Sequence, residues 1–157
     1  MKNLAIGFAS LRPHTLPEDV CDIREREYFV CMQQLVRVLP DSFDLLICEN
    51  TIDDPNQIKT QGLRDFLNET ELCATGSESN IGTSNKGLGE LLQLKTALDQ
   101  TDIDKYENIS YVTTRGYLTC PYVFEKTERL NKKALLSNPD FIWLNGKVIE
   151  ASKNLYN

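Results

Sequence analysis

The sequence predicts a single α/β domain in which a mostly parallel sheet carries helices on both faces. Short apolar runs alternate with segments of helical periodicity along the chain, which is the pattern of strands joined by crossover helices. The 157 residues have the length of one domain with a core of its own. Hydrophobic residues make up 41% and charged residues 25% of the chain, as in an average soluble globular protein. We therefore expect one three-layer domain over 1–157.

The strands are predicted from short apolar or β-branched runs that end in polar or turn residues. They are 3–9, 43–48, 108–114 and 141–144, with a brief additional strand at 71–74. In a parallel sheet, the residues that follow the strands gather at one edge, and ligands bind there. The sequence therefore predicts a binding site at the carboxyl ends of the strands.

The helices are predicted from apolar residues that recur at helical spacing. They are 17–39, 58–68, 86–99 and 121–136. Pro17, Glu18 and Asp19 favour the start of the first helix because proline and acidic residues suit the amino end of a helix. In the third helix the leucines form a broad apolar face, and we expect Glu90, Gln93 and Lys95 to lie on the opposite side.

Composition excludes several functional classes. The net charge of −6 provides no field that would attract a polyanion, which argues against a nucleic-acid partner. No apolar run approaches the roughly 20 residues of a membrane span, and the amino terminus lacks a signal-peptide core. Five cysteines without a C-x-x-C pair and a single histidine argue against a structural zinc site. These features predict a cytoplasmic protein with no transmembrane segment.

Four residues at or just beyond the ends of predicted strands are candidate ligand-binding residues: Arg12, Glu49, Thr114 and Arg115. Arginine forms bidentate hydrogen bonds with phosphates, and acidic residues accept hydrogen bonds from ribose hydroxyls in nucleotide-binding α/β folds. The alternatives are a salt-bridged or solvated arginine and an ordinary loop carboxylate. The sequence leaves both readings open.

The segment 75–85 (TGSESNIGTSN) is a polar loop that runs directly into the third helix. Exposed backbone N–H groups and the positive end of a helix dipole hold anionic phosphates. We expect Lys86 to add a positive charge and Asn80 or Asn85 to hydrogen-bond a sugar hydroxyl. Gly82 and Gly87 would allow close backbone approach. Alternatively, Ser84 or Asn85 only caps the helix, and the segment does not match the Walker pattern G-x-x-x-x-G-K-[ST].

Two further features are weaker candidates. Asp102 and Asp104 have the D-x-D spacing that often holds a divalent metal. They precede a predicted strand, however, so we expect them at the opposite edge of the sheet, in a helix-capping turn. His14 has the only side chain that titrates near neutral pH without perturbation. It could act as a general base, or it could be a loop residue without a chemical role, and the sequence leaves both interpretations open.

Three segments together carry a family resemblance: FDLLICENT, SNIGTSNKGLGELLQLKTAL and YVTTRGYL. They resemble bacterial and viral glycosyltransferases of the GT-A class, in which an N-x-G…N-K-G-x-G-E loop precedes a strand that ends in a T-G-R-Y-like turn. The resemblance covers roughly residues 1–125. Thr114-Arg115-Gly116-Tyr117 transposes the glycine and the arginine of that turn.

The resemblance implies a Rossmann-like, GT-A-like fold and a nucleotide-diphosphate sugar as donor, with a glycan or other molecule as acceptor. It places Glu49 near the nucleoside, and Asn80, Lys86 and Arg115 near the diphosphate and the sugar. It implies either Mn²⁺ or Mg²⁺ as cofactor or a metal-independent domain, and it assigns no catalytic residue. GT-A enzymes usually exceed 200 residues, so the alternative is a non-catalytic nucleotide- or partner-binding α/β module.

Overall fold

The computed structural model describes residues 2–74, 86–119, 121–122, 124–125, 134–136, 141–144 and 147–150. Five strands form one sheet in the order β3-β2-β1-β4-β5, and every neighbouring pair is parallel. These strands are β1 (Lys2–Ala9), β2 (Phe43–Glu49), β3 (Glu71–Ala74), β4 (Tyr106–Thr113) and β5 (Ala134–Leu136). Two further strands, β6 (Phe141–Leu144) and β7 (Lys147–Glu150), pair antiparallel in a separate sheet.

Among the described residues, the helices α1 (Glu18–Val38), α2 (Gln61–Glu69) and α3 (Lys86–Gln100) connect strands of the parallel sheet. Residues 122 and 124–125, between β4 and β5, are also helical. Met32 of α1 and Leu63 of α2 share a buried cluster with Ile47 of β2, so α1 and α2 cover one face of the sheet. Ala97 of α3 packs with Leu4 and other residues that point to the opposite face. The chain therefore folds as a small Rossmann-like α/β domain with helices on both faces, and this confirms the predicted fold class.

Strand β1 is central, and its sequence explains why. Seven of its eight residues, all except Lys2, are buried, as expected for a strand covered on both faces. Ala5 packs in a cluster with Leu35 of α1, whereas Leu4 lies in the cluster that includes α3. The alternation follows from the two-residue period of a strand.

Helix α1 matches its prediction closely, although its buried face differs in part. It begins after Pro17 with Glu18 and Asp19 in the first turn. Leu39 ends the helix in an extended conformation, as expected for a residue that precedes a proline. Ile23, one of the apolar residues at helical spacing from which the helix is predicted, is 53% exposed.

The carboxyl-terminal region departs from the sequence prediction. The segment 121–136 was predicted as one helix, yet its last three residues form β5, which pairs in parallel with β4 from Ile109 to Tyr111. Backbone pairing at the sheet edge outweighs the helical propensity of Ala-Leu-Leu. Strand β7 was not predicted, although Asn145-Gly146 between the last two strands is a strong hairpin signal.

Helix α3 agrees with its prediction in part, since Glu90 and Lys95 are exposed and Leu94 and Leu98 pack toward the sheet. Two residues differ. Gln93 was expected on the side away from the sheet but is only 1% exposed, whereas Leu91 is 64% exposed. Gly89 is buried four residues before Gln93, and Ala97 is buried four residues after it. Small residues on both sides of Gln93 let the helix approach the sheet closely, and this closeness brings the glutamine inside.

Within the described ranges, none of the helices combines the length and the apolar character of a membrane span.

Candidate functional site

The chain changes direction across the sheet at β1. It proceeds from β1 to β2 and β3 on one side and returns through α3 to β4 on the other side. In open parallel sheets, ligands bind in the crevice outside the carboxyl ends of the strands at such a switch point. We use the name carboxyl rim for residues 10–12 after β1, 50–52 after β2 and 114–115 after β4.

Glu49 is fully buried at the end of β2. One carboxylate oxygen accepts a hydrogen bond from the backbone N–H of Leu11 at 2.6 Å and another from the Thr51 hydroxyl. The other oxygen accepts from the backbone N–H groups of Thr51 at 2.6 Å and Ile52 at 2.8 Å. Burial raises the pKa of Glu49, and the hydrogen bonds from Thr51, Leu11 and Ile52 oppose this shift. The carboxylate thus joins the loops that follow β1 and β2.

Two further hydrogen bonds hold these loops together. The Ser10 hydroxyl donates to the Asn50 side-chain oxygen at 2.6 Å. The Arg12 backbone N–H donates to the Thr51 hydroxyl oxygen at 2.7 Å. The side chains of Glu49, Asn50 and Thr51 therefore fix the backbone that leaves β1, and a contact of Glu49 with ribose stays a prediction.

The Arg12 guanidinium is surrounded by carboxylates of α1. It contacts Glu25, whose side chain is fully buried, and lies 3.0 Å from Asp22 and 3.5 Å from Glu18. The hydrogen bond from Arg12 lowers the pKa of Asp22. Lys59 also pairs with Glu18 at 2.6 Å. With three carboxylates against two cations, this corner of the carboxyl rim has no excess positive charge to offer an anion.

Thr114 is buried where β4 meets β1. Its backbone N–H donates to the Phe8 carbonyl oxygen at 3.2 Å, and its hydroxyl donates to the same oxygen. A Cβ placed on Gly7 would lie 2.5 Å from the Thr114 methyl carbon. Glycine at position 7 therefore permits the close approach that positions Thr114 at the carboxyl rim.

Arg115 follows Thr114 and reaches the side of α1. Its Nε and Nη2 donate to the Glu27 carboxylate at 3.1 and 2.8 Å, and both side chains are about half exposed. The Cys31 thiol donates to the Arg115 carbonyl oxygen at 3.3 Å. Because an exposed ion pair contributes little and is easily exchanged, the Arg115 guanidinium remains available to a stronger anionic partner.

Only part of the predicted phosphate-binding segment, from Asn80 to Gly87, lies among the described residues. Asn80, Gly82 and Asn85 lie outside the described residues. Lys86 and Gly87 form the first turn of α3, and the chain enters the segment from Ala74, which pairs in register with Glu49. The loop therefore starts beside the carboxyl rim.

Sequence reasoning overlooked three residues that lie beside this rim: Arg24, Tyr28 and Gln93. Gln93 donates from its side-chain nitrogen to the carbonyl oxygens of Ala9 at 2.9 Å and Cys48 at 3.4 Å. The signal for Gln93 was the pair of small residues four positions before and after it. Arg24 had no comparable signal, since an arginine on a helix is usually solvated.

The weaker candidates lie apart from this cluster. Asp102 and Asp104 precede β4 at the amino edge of the sheet, and Lys105 pairs with Asp102 at 3.2 Å. His14 is exposed in the loop before α1. Across the ranges given above, no group of three or more His, Cys, Asp or Glu side chains is arranged to hold a metal ion. Use of Mn²⁺ or Mg²⁺ stays a prediction of the resemblance.

No protein-family model matches the chain, and no curated protein or solved structure matches it significantly.

Proposed function

We propose that this chain is a glycosyltransferase-like domain that binds a nucleotide-diphosphate sugar at the carboxyl rim. One observation carries the proposal: the chain passes from the carboxyl end of β3 to the start of α3 through the polar segment 75–85, in a parallel sheet whose chain direction switches at β1. Nucleotides bind at this position in doubly wound folds. The sequence motif in the same segment is the one that resembles the GT-A class.

The chemistry of sugar transfer defines what the rim has to supply. The nucleoside diphosphate leaves with additional negative charge, which positively charged or N–H groups must stabilise. Lys86 at the amino end of α3, Arg115 and the backbone N–H groups of the loop are the groups we assign to this role. The positive end of the α3 dipole adds to their effect.

A non-catalytic binding module is the second candidate. Two predicted ligand residues favour it, because their side chains are already engaged within the protein. Arg12 is paired with carboxylates, and Glu49 accepts hydrogen bonds from Leu11, Thr51 and Ile52. Such a module would bind the nucleotide and leave the sugar bond intact. Turnover of the sugar donor separates the two candidates.

Thermal unfolding with UDP, GDP, dTDP and CDP, with and without Mn²⁺, tests the proposal. A ligand at 100 times its Kd adds about 2.7 kcal/mol to the free energy of unfolding. We expect one of the four nucleotides to raise the Tm, Lys86→Ala to abolish the shift, and the control Lys105→Ala at the amino edge to retain it. Release of the sugar from the matching donor would establish transfer or hydrolysis.

Two results would overturn these assignments. No shift with any nucleotide would exclude the nucleotide site. A shift that survives Lys86→Ala unchanged would exclude Lys86 from it.

A further inference from the structure

Arg24 lies on the second turn of α1, and its side chain turns toward the carboxyl end of β1. Its Nε and Nη2 donate to the Ser10 carbonyl oxygen at 3.3 and 2.8 Å. Its guanidinium carbon lies 5.6 Å from the centre of the Tyr28 ring. The side chain is partly buried, so α1 and the loop after β1 hold the guanidinium in place.

The charge of Arg24 has no carboxylate partner within the part of the chain that the structure describes. The other two arginines at the rim do: Arg12 pairs with Glu18, Asp22 and Glu25, and Arg115 pairs with Glu27. A partly buried cation is stabilised by an opposite charge, and no carboxylate of the described residues supplies one to Arg24. Among the described arginines at the switch point, Arg24 is therefore the one whose charge is not neutralised by a described carboxylate.

The hydrogen bonds to Ser10 leave a complete edge of this guanidinium unused. A guanidinium has five N–H donors in a fixed planar fork. One from Nε and one from Nη2 are directed at Ser10, and the remaining three have no acceptor among the described residues. Two of these, on Nη1 and Nη2, form the end of the fork that matches two oxygens of a phosphate group.

Tyr28 lies beside the Arg24 guanidinium and is also reached by the charge of Arg115. The Tyr28 hydroxyl accepts a hydrogen bond from the Ser10 backbone N–H at 3.3 Å. Tyr28 as a whole is only 5% exposed. Burial raises the pKa of Tyr28, and the charges of Arg24 and Arg115 both counteract that rise. Two guanidinium groups thus act on one buried phenol, so their fields add at the switch point.

We infer that Arg24 binds a phosphate group of the ligand through the free end of its guanidinium, while its other edge stays on the Ser10 carbonyl. This inference rests on the proposed function, because it names the residue that holds the diphosphate at the carboxyl rim. Ser10 fixes the orientation of the fork before the ligand arrives, which reduces the entropic cost of binding. Arg115 supplies a second charge when its exposed pair with Glu27 opens.

Isothermal titration calorimetry with UDP, GDP, dTDP, CDP and inorganic pyrophosphate tests the inference on the full chain and on three variants. Arg24→Gln removes the charge and the fork, and Arg24→Lys keeps a charge but not the fork. Arg64→Gln is a matched control, because Arg64 also donates from Nε and Nη2 to a carbonyl oxygen, that of Ile58 in the segment before α2. Far-UV circular dichroism and Tm establish that each variant is folded.

We expect Arg24→Gln to weaken the binding of nucleotide and pyrophosphate at least tenfold, and Arg64→Gln to leave it unchanged. Arg24→Lys should weaken it about fivefold, since one lost hydrogen bond costs about 1 kcal/mol. If Arg24→Gln fails to fold, the affinity of Arg24→Lys tests the role of Arg24 instead, and unchanged binding by that variant would overturn it. Equal binding by all variants, or the same loss with Arg64→Gln, would overturn the role of Arg24 while the nucleotide site stands.

The remaining outcomes separate the inference from the proposed function. Binding of pyrophosphate that depends on Arg24, without any binding of nucleotides, would support the phosphate site and overturn the nucleotide function. Binding of neither pyrophosphate nor nucleotide would overturn both.

Discussion

The side-chain nitrogen of Gln93 on α3 lies 2.9 Å from the carbonyl oxygen of Ala9, the last residue of β1. It also donates to the Cys48 carbonyl oxygen of β2 at 3.4 Å. A single buried amide thus ties α3 to the ends of two neighbouring strands. Because two carbonyl oxygens face the nitrogen, the orientation of the amide is fixed.

Gln93→Glu should destabilise the fold near pH 7. The new carboxylate would be buried and would face two carbonyl oxygens without a proton to donate, at a cost of about 2 kcal/mol or more. Protonation restores a donor, so the deficit should shrink near pH 5 because burial raises the pKa of the introduced group. Urea denaturation at both pH values measures this, and Gln33→Glu on the exposed side of α1 is the control. An equal loss for both substitutions would contradict the role of Gln93.

Glu49→Gln should be destabilising although the two side chains have the same shape. Each carboxylate oxygen of Glu49 faces two donors, so either orientation of the amide sets an NH₂ group against backbone N–H groups. Unsatisfied buried donors cost about 1–3 kcal/mol each. Urea denaturation should show this loss for Glu49→Gln and almost none for the exposed control Glu69→Gln. A neutral result would show that the carboxylate does not hold the loops together.

Gly7→Ala should lower stability by about 1–3 kcal/mol through overpacking. The added Cβ would lie 2.5 Å from the Thr114 methyl carbon and 2.9 Å from Ile47 Cδ1. Thr114→Ser removes that methyl group and keeps the hydroxyl that donates to Phe8. A double-mutant cycle should therefore find Gly7→Ala less costly in the Thr114→Ser background. Strict additivity would show that Thr114 is not the obstacle.

Stability should fall in acid partly because of Asp22. Its hydrogen bond with Arg12 lowers its pKa, so its contribution is complete above the ordinary pKa of about 3.9. That contribution disappears as the pH falls through the lowered value. Asp22→Asn should therefore be less stable than the unmodified chain near neutral pH, and the difference should shrink and disappear as the pH falls below the ordinary value and through the lowered pKa of Asp22.

Asp19→Asn is the control for Asp22, since Asp19 lies in the first turn of α1, three residues before Asp22, and has no ion pair among the described residues. Its effect on the Tm should show little of the pH dependence seen with Asp22→Asn. A stability difference for Asp22→Asn that is constant with pH would contradict the ion pair.

The fold was predictable because strand and helix patterns are local. The apolar run of β1 and the polar residues after β2 needed only their own sequence to be recognised. Strand β5 was missed because pairing with β4 joins segments about 25 residues apart in sequence, and local propensity carries no information about such a partner. The burial of Gln93 depends on how closely α3 approaches the sheet. The spacing of the leucines in the sequence does not indicate this distance.

The position of the candidate residues at one edge of the sheet was predictable, but their charge balance was not. Sequence position identified Arg12, Glu49 and Arg115 as residues that follow strands. It did not reveal that carboxylates of α1 neutralise Arg12, or that Arg24 on α1 has no carboxylate partner among the described residues. Ion pairing depends on side chains brought together by packing, so only the structure distinguishes the two arginines.

The most direct test of nucleotide binding at the carboxyl rim is a titration of the ¹⁵N-labelled protein with each of the four nucleoside diphosphates, followed by amide chemical shifts. We predict that one nucleotide shifts the amide signals of Ser10, Arg12 and Arg115, while those of Asp102 and Lys105 at the amino edge stay in place. Shifts confined to the amino edge, or no shifts with any nucleotide, would contradict the account.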